Sequence, residues 1–240
     1  MLAILKKELN LFFATPIGYL VIAIFLLING LFLWVFKGDF NILDANFADL
    51  NSFFFIAPWF FIFMIPAITM RTFSDEIRLG TIEIIKTKPI STWEIILGKY
   101  LGSLILIIIA LTPTLIYVYT IAQLAATPEN IDFGSVIGSY FGLLFLASSI
   151  TAIGMFTSTL SNNQIVAFII GLALSFFMFY GFEAIDELIN SEQYDFKNLG
   201  LYAHFINIGR GVIDTKDLIY FVSVTFFFLY ITKTNFDHKH

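Results

Sequence analysis

Residues 71–100 read RTFSDEIRLGTIEIIKTKPISTWEIILGKY. This stretch holds nine of the chain's 13 basic and 18 acidic residues, and the runs on either side of it are apolar and free of charge. Thr72-Phe73-Ser74-Asp75 fits the capping box of a helix start, in which a hydroxyl and a carboxylate satisfy unpaired backbone N–H groups. Phe73, Ile77, Thr81 and Ile84 then form one stripe at helical spacing, with Glu76, Arg78, Glu83 and Lys86 around it. Pro89 ends that helix. Ser91-Thr92-Trp93-Glu94 is a second capping box, so a second helix is expected from Thr92 into the apolar run that follows. The expected shape is a helical hairpin between two spans. It reads either as a rigid lever that a partner can push, or as an ordinary loop whose charges follow membrane topology.

Working outward, the composition is that of a membrane protein. The 240 residues are 58% hydrophobic and 13% charged, with 30 Phe and a mean hydropathy of +0.86. A soluble domain carries roughly 25% charged residues. There is no Cys, which excludes disulfides and thiolate metal sites. The first long apolar run follows Lys6 and Lys7, as in a signal peptide, but it is too long for one and no small-residue cleavage site follows. It reads as a retained span.

An all-α integral membrane protein is therefore expected, with six transmembrane helices near 17–36, 53–70, 101–126, 136–158, 163–182 and 218–232. The last is short unless it extends through Phe236. Residues 1–15 form an amphipathic helix suited to the interface, the alternative being a frayed tail. Lys6, Lys7, Trp93 and Lys99 are the interfacial anchors, Lys99 by snorkelling to the head groups. Pro58, Pro66 and Pro113 are expected to kink their helices. Gly138 and Gly142 make a GxxxG, a weak helix-dimer signal.

The two termini and residues 71–100 carry nine of the 13 Lys and Arg, whereas the other loops carry 12 of the 18 acidic residues. By the positive-inside rule both termini and 71–100 are cytoplasmic, and residues 183–217 form the longest external loop. The second half of that loop is apolar and aromatic. Tyr202, His204, Phe205 and Arg210 make it either a candidate external gate or an amphipathic cap on the bundle.

Several function classes find no support. No span has a charged residue at its middle, which disfavours an ion-coupled carrier. Gly98-Lys99 lacks the rest of a P-loop, and neither HExxH nor a nucleophile elbow occurs. No catalytic, cofactor or metal residues are expected, and no nucleic acid partner.

The runs Glu76-x-x-x-Gly80-Thr81-x-Glu83, Lys86-Thr87-x-Pro89-Ile90-Ser91 and Gly98-Lys99 resemble the coupling loop of type 2 ABC exporter permeases. So does the opening Lys6-Lys7-Glu8-Leu9 with Thr15-Pro16-Ile17-Gly18-Tyr19, although Thr15 stands where a Ser is usual. The resemblance covers the whole chain and extends to the gliding-motility-associated permease subunits. It implies a coupling helix from about Asp75 to Lys88, with Asp75, Glu76, Arg78, Gly80, Thr81, Glu83 and Lys86 at an interface with a cytoplasmic ABC ATPase. It further implies ATP and Mg²⁺ bound in that partner, a second permease copy or paralogue, and residence in the bacterial inner membrane. The function implied is an ATP-driven permease subunit linked to gliding motility or secretion. The alternative is a membrane anchor or assembly component of such a machine, passing no solute.

Overall fold

The computed structural model describes residues 1–44, 49–125, 131–189, 195–212 and 214–239. They form twelve helices with short 3₁₀ and π turns, and among the described residues there is no strand. Helix α1 (Leu2–Ala14) ends at Thr15, and Pro16 sits in the first turn of α2 (Pro16–Gly30), where its missing N–H costs nothing. A π turn, Leu31–Val35, prolongs α2. Helix α3 (Asn51–Thr69) contains Pro58 and Pro66 without interruption, and after one turn residue the chain continues as α4 (Arg71–Arg78). Then come α5 (Thr81–Lys86) and α6 (Thr92–Leu111). A 3₁₀ turn at Thr112–Thr114, centred on Pro113, separates α6 from α7 (Leu115–Leu124). The second half of the chain holds α8 (Phe133–Leu160), α9 (Gln164–Phe176), α10 (Phe182–Ile189), α11 (Leu201–Gly209) and α12 (Thr215–Lys239).

Six helical stretches are long and apolar enough to cross a bilayer: Pro16–Val35, Asn51–Arg78, Thr92–Leu124, Phe133–Leu160, Gln164–Ile189 and Thr215–His238. The α3–α4 stretch and α8 are the most enclosed, and α2 and the α9–α10 stretch are the least. Helix α8 is the hub, packing on α3, α9, α11 and α12. Small residues allow this. A β-carbon at Gly154 would fall 2.0 Å from Thr69 Oγ1, so α3 and α8 meet almost backbone to backbone there. Hydroxyls add polar links across the same core. Tyr100 and Ser148 share a hydrogen bond of 2.6 Å, and Thr225 Oγ1 lies 3.2 and 3.1 Å from the hydroxyls of Ser148 and Ser149.

The Gly138–Gly142 pair is filled from within the chain, not by a second copy. Helix α11 lies across it, with Ile208 O only 2.5 Å from where a Gly138 β-carbon would sit and the Phe205 ring 3.1 Å from that of Gly142. The first capping box does not form. Thr72 already lies inside continuous helical chain, because α3 carries on into α4, and its hydroxyl has no hydrogen-bond partner among the described residues. The second box forms as expected: Ser91 Oγ accepts from Glu94 N–H at 3.3 Å and Ser91 N–H donates to the Glu94 carboxylate at 3.2 Å.

Candidate functional site

The hairpin between α3 and α6 lies at one end of the bundle, together with α1 and the last turns of α12. Helix α4 ends at Arg78 with Leu79 as its cap, and Gly80 at φ +68° takes the left-handed position that closes many helix C-termini. Helix α5 then starts in a new direction. The apolar stripe expected along one helix is therefore broken at this joint: Phe73 is fully buried and Ile84 is exposed. Ile82, not Ile84, points inward from α5.

What fastens α4 to the bundle is charge. Lys99 does not snorkel. It is 1% exposed, and three oxygens lie within 3.0 Å of its ammonium. Its Nζ donates to Glu8 Oε1 of α1 at 2.8 Å and to the carbonyl of Thr72 at 2.9 Å. Glu76 Oε2 of α4 lies 3.0 Å away, an ionic contact whose angle is outside hydrogen-bond geometry. Glu76 Oε1 in turn accepts from Lys7 at 2.6 Å. Two lysines and two glutamates thus form a charge-balanced set that joins α1, α4 and α6. The physical reason for the correction is distance along the chain: the carboxylate that draws Lys99 inward lies 91 residues away. Glu8 is correspondingly buried, not on the wet face of α1.

A close approach of α1 to α6 makes this set possible. A β-carbon at Gly98 would lie 2.9 Å from Ile4 Cβ, and one at Gly102 only 2.8 Å from Glu8 Cβ. The Gly98–Gly102 spacing is a small-xxx-small pattern that the P-loop comparison passed over. Further ties hold α4. Asp75 pairs with Arg78 at 2.8 Å and accepts from the Gln164 amide of α9, while the Phe73 ring packs on Phe236 of α12 at 5.4 Å. The Arg71 guanidinium lies over the Phe12 ring at 5.2 Å.

The sequence-derived interface set consequently splits. Asp75 and Glu76 are spent on contacts inside the chain. Arg78, Gly80 and Glu83 are exposed, together with Leu79 and Ile84, while Thr81 is half-buried and bonds back to the Glu76 carbonyl at 3.4 Å. The side chain of Lys86 lies outside the described residues. Of the expected anchors, Lys6 is exposed, Lys7 reaches Glu76, and Trp93 stacks on Phe226 of α12 with ring centroids 6.2 Å apart.

At the other end, α11 brings three of the four loop residues to one cavity of about 530 Å³: Tyr202, Phe205 and Arg210. Burial, followed by the nearby Glu183 carboxylate and Tyr180, raises the Tyr202 phenol above its ordinary pKa, which keeps it a neutral donor. His204 turns the other way. Its Nδ1 lies 2.5 Å from Asp217 Oδ1, its Nε2 donates to the Asn198 carbonyl at 2.9 Å, and its ring stacks on Tyr220 at 3.8 Å.

Residues 37–191, more than half of the chain, match the family model described as ABC-2 family transporter protein. No curated protein matches the chain. The match takes in Glu76, Lys99 and the exposed tip of α4 and α5, and leaves α1, α2, α11 and α12 outside it.

Proposed function

The chain belongs to the ABC-2 transporter family, and on that premise we propose that the α4–α5 tip is where a cytoplasmic ATPase seats and the Lys99 set is what carries its motion into the spans. Chains of this family are the membrane-crossing subunits of ABC transporters and leave ATP hydrolysis to a separate subunit. One observation supports the coupling reading most. The exposed residues Arg78, Leu79, Glu83 and Ile84 stand on a short hairpin whose base is tied by ion pairs to α1, through half-exposed Lys7, and to α6, through buried Lys99. A groove binding the tip would find apolar anchors and both signs of charge. A displacement of α4 that drew Glu76 away would leave the buried Lys99 ammonium a carboxylate short, so α6 and, through Glu8, α1 follow.

The experiment is co-purification of the ATPase with the Glu83→Arg chain, with membrane insertion followed in parallel. Reduced co-purification with normal insertion is the expected result. Undiminished co-purification with normal activity would overturn the placement.

The same reading puts both termini and α4–α5 in the cytoplasm, and a second permease copy or paralogue beside this chain in the inner membrane. The charge asymmetry supports the orientation. Cysteine labelling from outside intact cells tests it: Lys197→Cys should react and Lys88→Cys should not. We place the complex in gliding motility or protein secretion, on the likeness of the coupling-loop motifs. Reconstituted complex that moves no solute, in a strain whose motility or secretion still needs the chain, would favour an anchor in place of a permease.

A further inference from the structure

The cavity of about 530 Å³ beneath α11 lies at the end of the bundle away from α4 and α5, and its walls differ sharply in character. Phe55 and Pro58 of α3 and Phe205 of α11 give an apolar side. Ser139 of α8, itself 4% exposed, gives a small polar floor. Two charges complete the lining, Asp39 and Arg210. Neither side chain has an ion-pair or hydrogen-bond partner among the described residues. Both are presented by turns. Asp39 follows Gly38 at φ 144°, and Arg210 caps α11 just before Gly211 at φ +84°. Helix α11 is held in place by its seat on Gly138 and Gly142 and by the hydrogen bond of 2.7 Å from Ser135 Oγ to the Gly209 carbonyl. Arg210 is thus fixed at the mouth of the cavity by backbone packing.

Ligand sites of this size are mostly apolar, with a few placed polar groups that fix orientation. Here the placed groups are one anion and one cation. The rim is apolar and open: Phe55, near the start of a membrane-crossing helix, is 47% exposed, and Phe40 of the preceding loop stacks on it at 5.6 Å. A chain lying on Phe55 and Phe205 would pass out over that rim into lipid. A head group at the mouth would meet Arg210 and Asp39 together.

We infer that this cavity binds a phospholipid-like amphiphile with a zwitterionic head, its phosphate on Arg210, its ammonium toward Asp39 and its acyl chain along Phe55, Pro58 and Phe205. The inference goes beyond the coupling reading and needs neither the ATPase nor transport for its test, so the two can fail separately.

The test is binding of short-chain phosphatidylethanolamine to the purified full chain in maltoside detergent. Short-chain phosphatidylglycerol of the same acyl length is the head-group control. Saturable binding of the ethanolamine lipid is expected, with about tenfold preference over the glycerol lipid, the scale of one charge-assisted contact. Arg210→Gln should weaken binding of both lipids about tenfold, and Asp39→Asn should abolish the preference between them. Both side chains are exposed, so the variants keep the fold, which circular dichroism and gel filtration check. Equal binding of the two lipids by the unaltered chain, unchanged binding by either variant, or no saturable binding would each overturn the proposal.

Discussion

The two ends of the bundle solve the same packing problem with different chemistry. At the α4–α5 end, helices from distant parts of the chain are joined by ions: Glu8, Glu76, Lys7 and Lys99 close on one another, and Asp75 takes Arg78 and Gln164. At the α11 end, backbone approach over Gly138 and Gly142 does most of the joining, and two of the charges at the mouth stay unpaired. The difference has a physical meaning. Buried ion pairs add little net stability, because desolvation offsets most of the Coulomb gain, but removing one partner is costly. Such a set penalises every arrangement except the one that keeps all partners together. Close packing over glycine penalises added volume instead, and leaves charges free to meet a ligand.

The largest effect is expected where that contrast is sharpest. Lys99→Met strands Glu8 in a buried place, leaves Glu76 with Lys7 alone, and should cost about 3–5 kcal/mol, read as a lowered thermal midpoint of the detergent-solubilised chain. Replacing Lys99, Glu8 and Glu76 together by apolar residues of similar size should recover most of that stability while leaving ATPase coupling lost. If the triple variant couples normally, the set is mere packing and the contrast between the ends collapses.

Next is His204→Phe, which keeps the ring on Tyr220 but leaves the buried Asp217 carboxylate without its partner. A loss of about 1.5–3 kcal/mol is expected, the scale of a hydrogen bond to a charged group, in the same melting assay. A loss matching that of Lys99→Met would show that the α11 end depends on ions equally. Gly138→Ala puts a methyl against the Ile208 carbonyl and should cost about 1–3 kcal/mol by overpacking. In the same variant, the about tenfold contribution of Arg210 to binding of both lipids should fall, because α11 must lift. Smallest is Ser91→Ala, which removes one hydroxyl from an exposed capping box and should cost about 1 kcal/mol. It lies at the charged end yet touches no buried ion, so coupling should be retained.

Much of the architecture could be read from local patterns. The six apolar runs correspond to helices long enough to span, and the box at Ser91 starts α6 because the residue before it is extended and its N–H groups need partners. Local signals failed where a distant segment decides. The Thr72 box is present in letters, but the helix entering from α3 had already satisfied those N–H groups. Lys99 looks like a snorkelling lysine when its own helix is considered alone. Only the Gly98–Gly102 spacing hints that another helix lies close enough to bring a carboxylate, and nothing local says it is Glu8. Likewise the Gly138–Gly142 pair announces a close neighbour without identifying it as α11.

The α6–α7 stretch from Thr92 to Leu124 has one more consequence. Its 33 residues span about 50 Å at helical rise, against roughly 30 Å of hydrocarbon. Something must stand clear of the oil, and Lys99 lies only about 10 Å along from Thr92. The water boundary then falls close to the lysine, and the thickness of the host membrane sets how deeply it is immersed. In bilayers of longer lipids the Lys99 set would be drowned in hydrocarbon; in thinner ones it would be wetted and screened. Acyl-chain length would therefore set how firmly Lys99 holds Glu8 and Glu76.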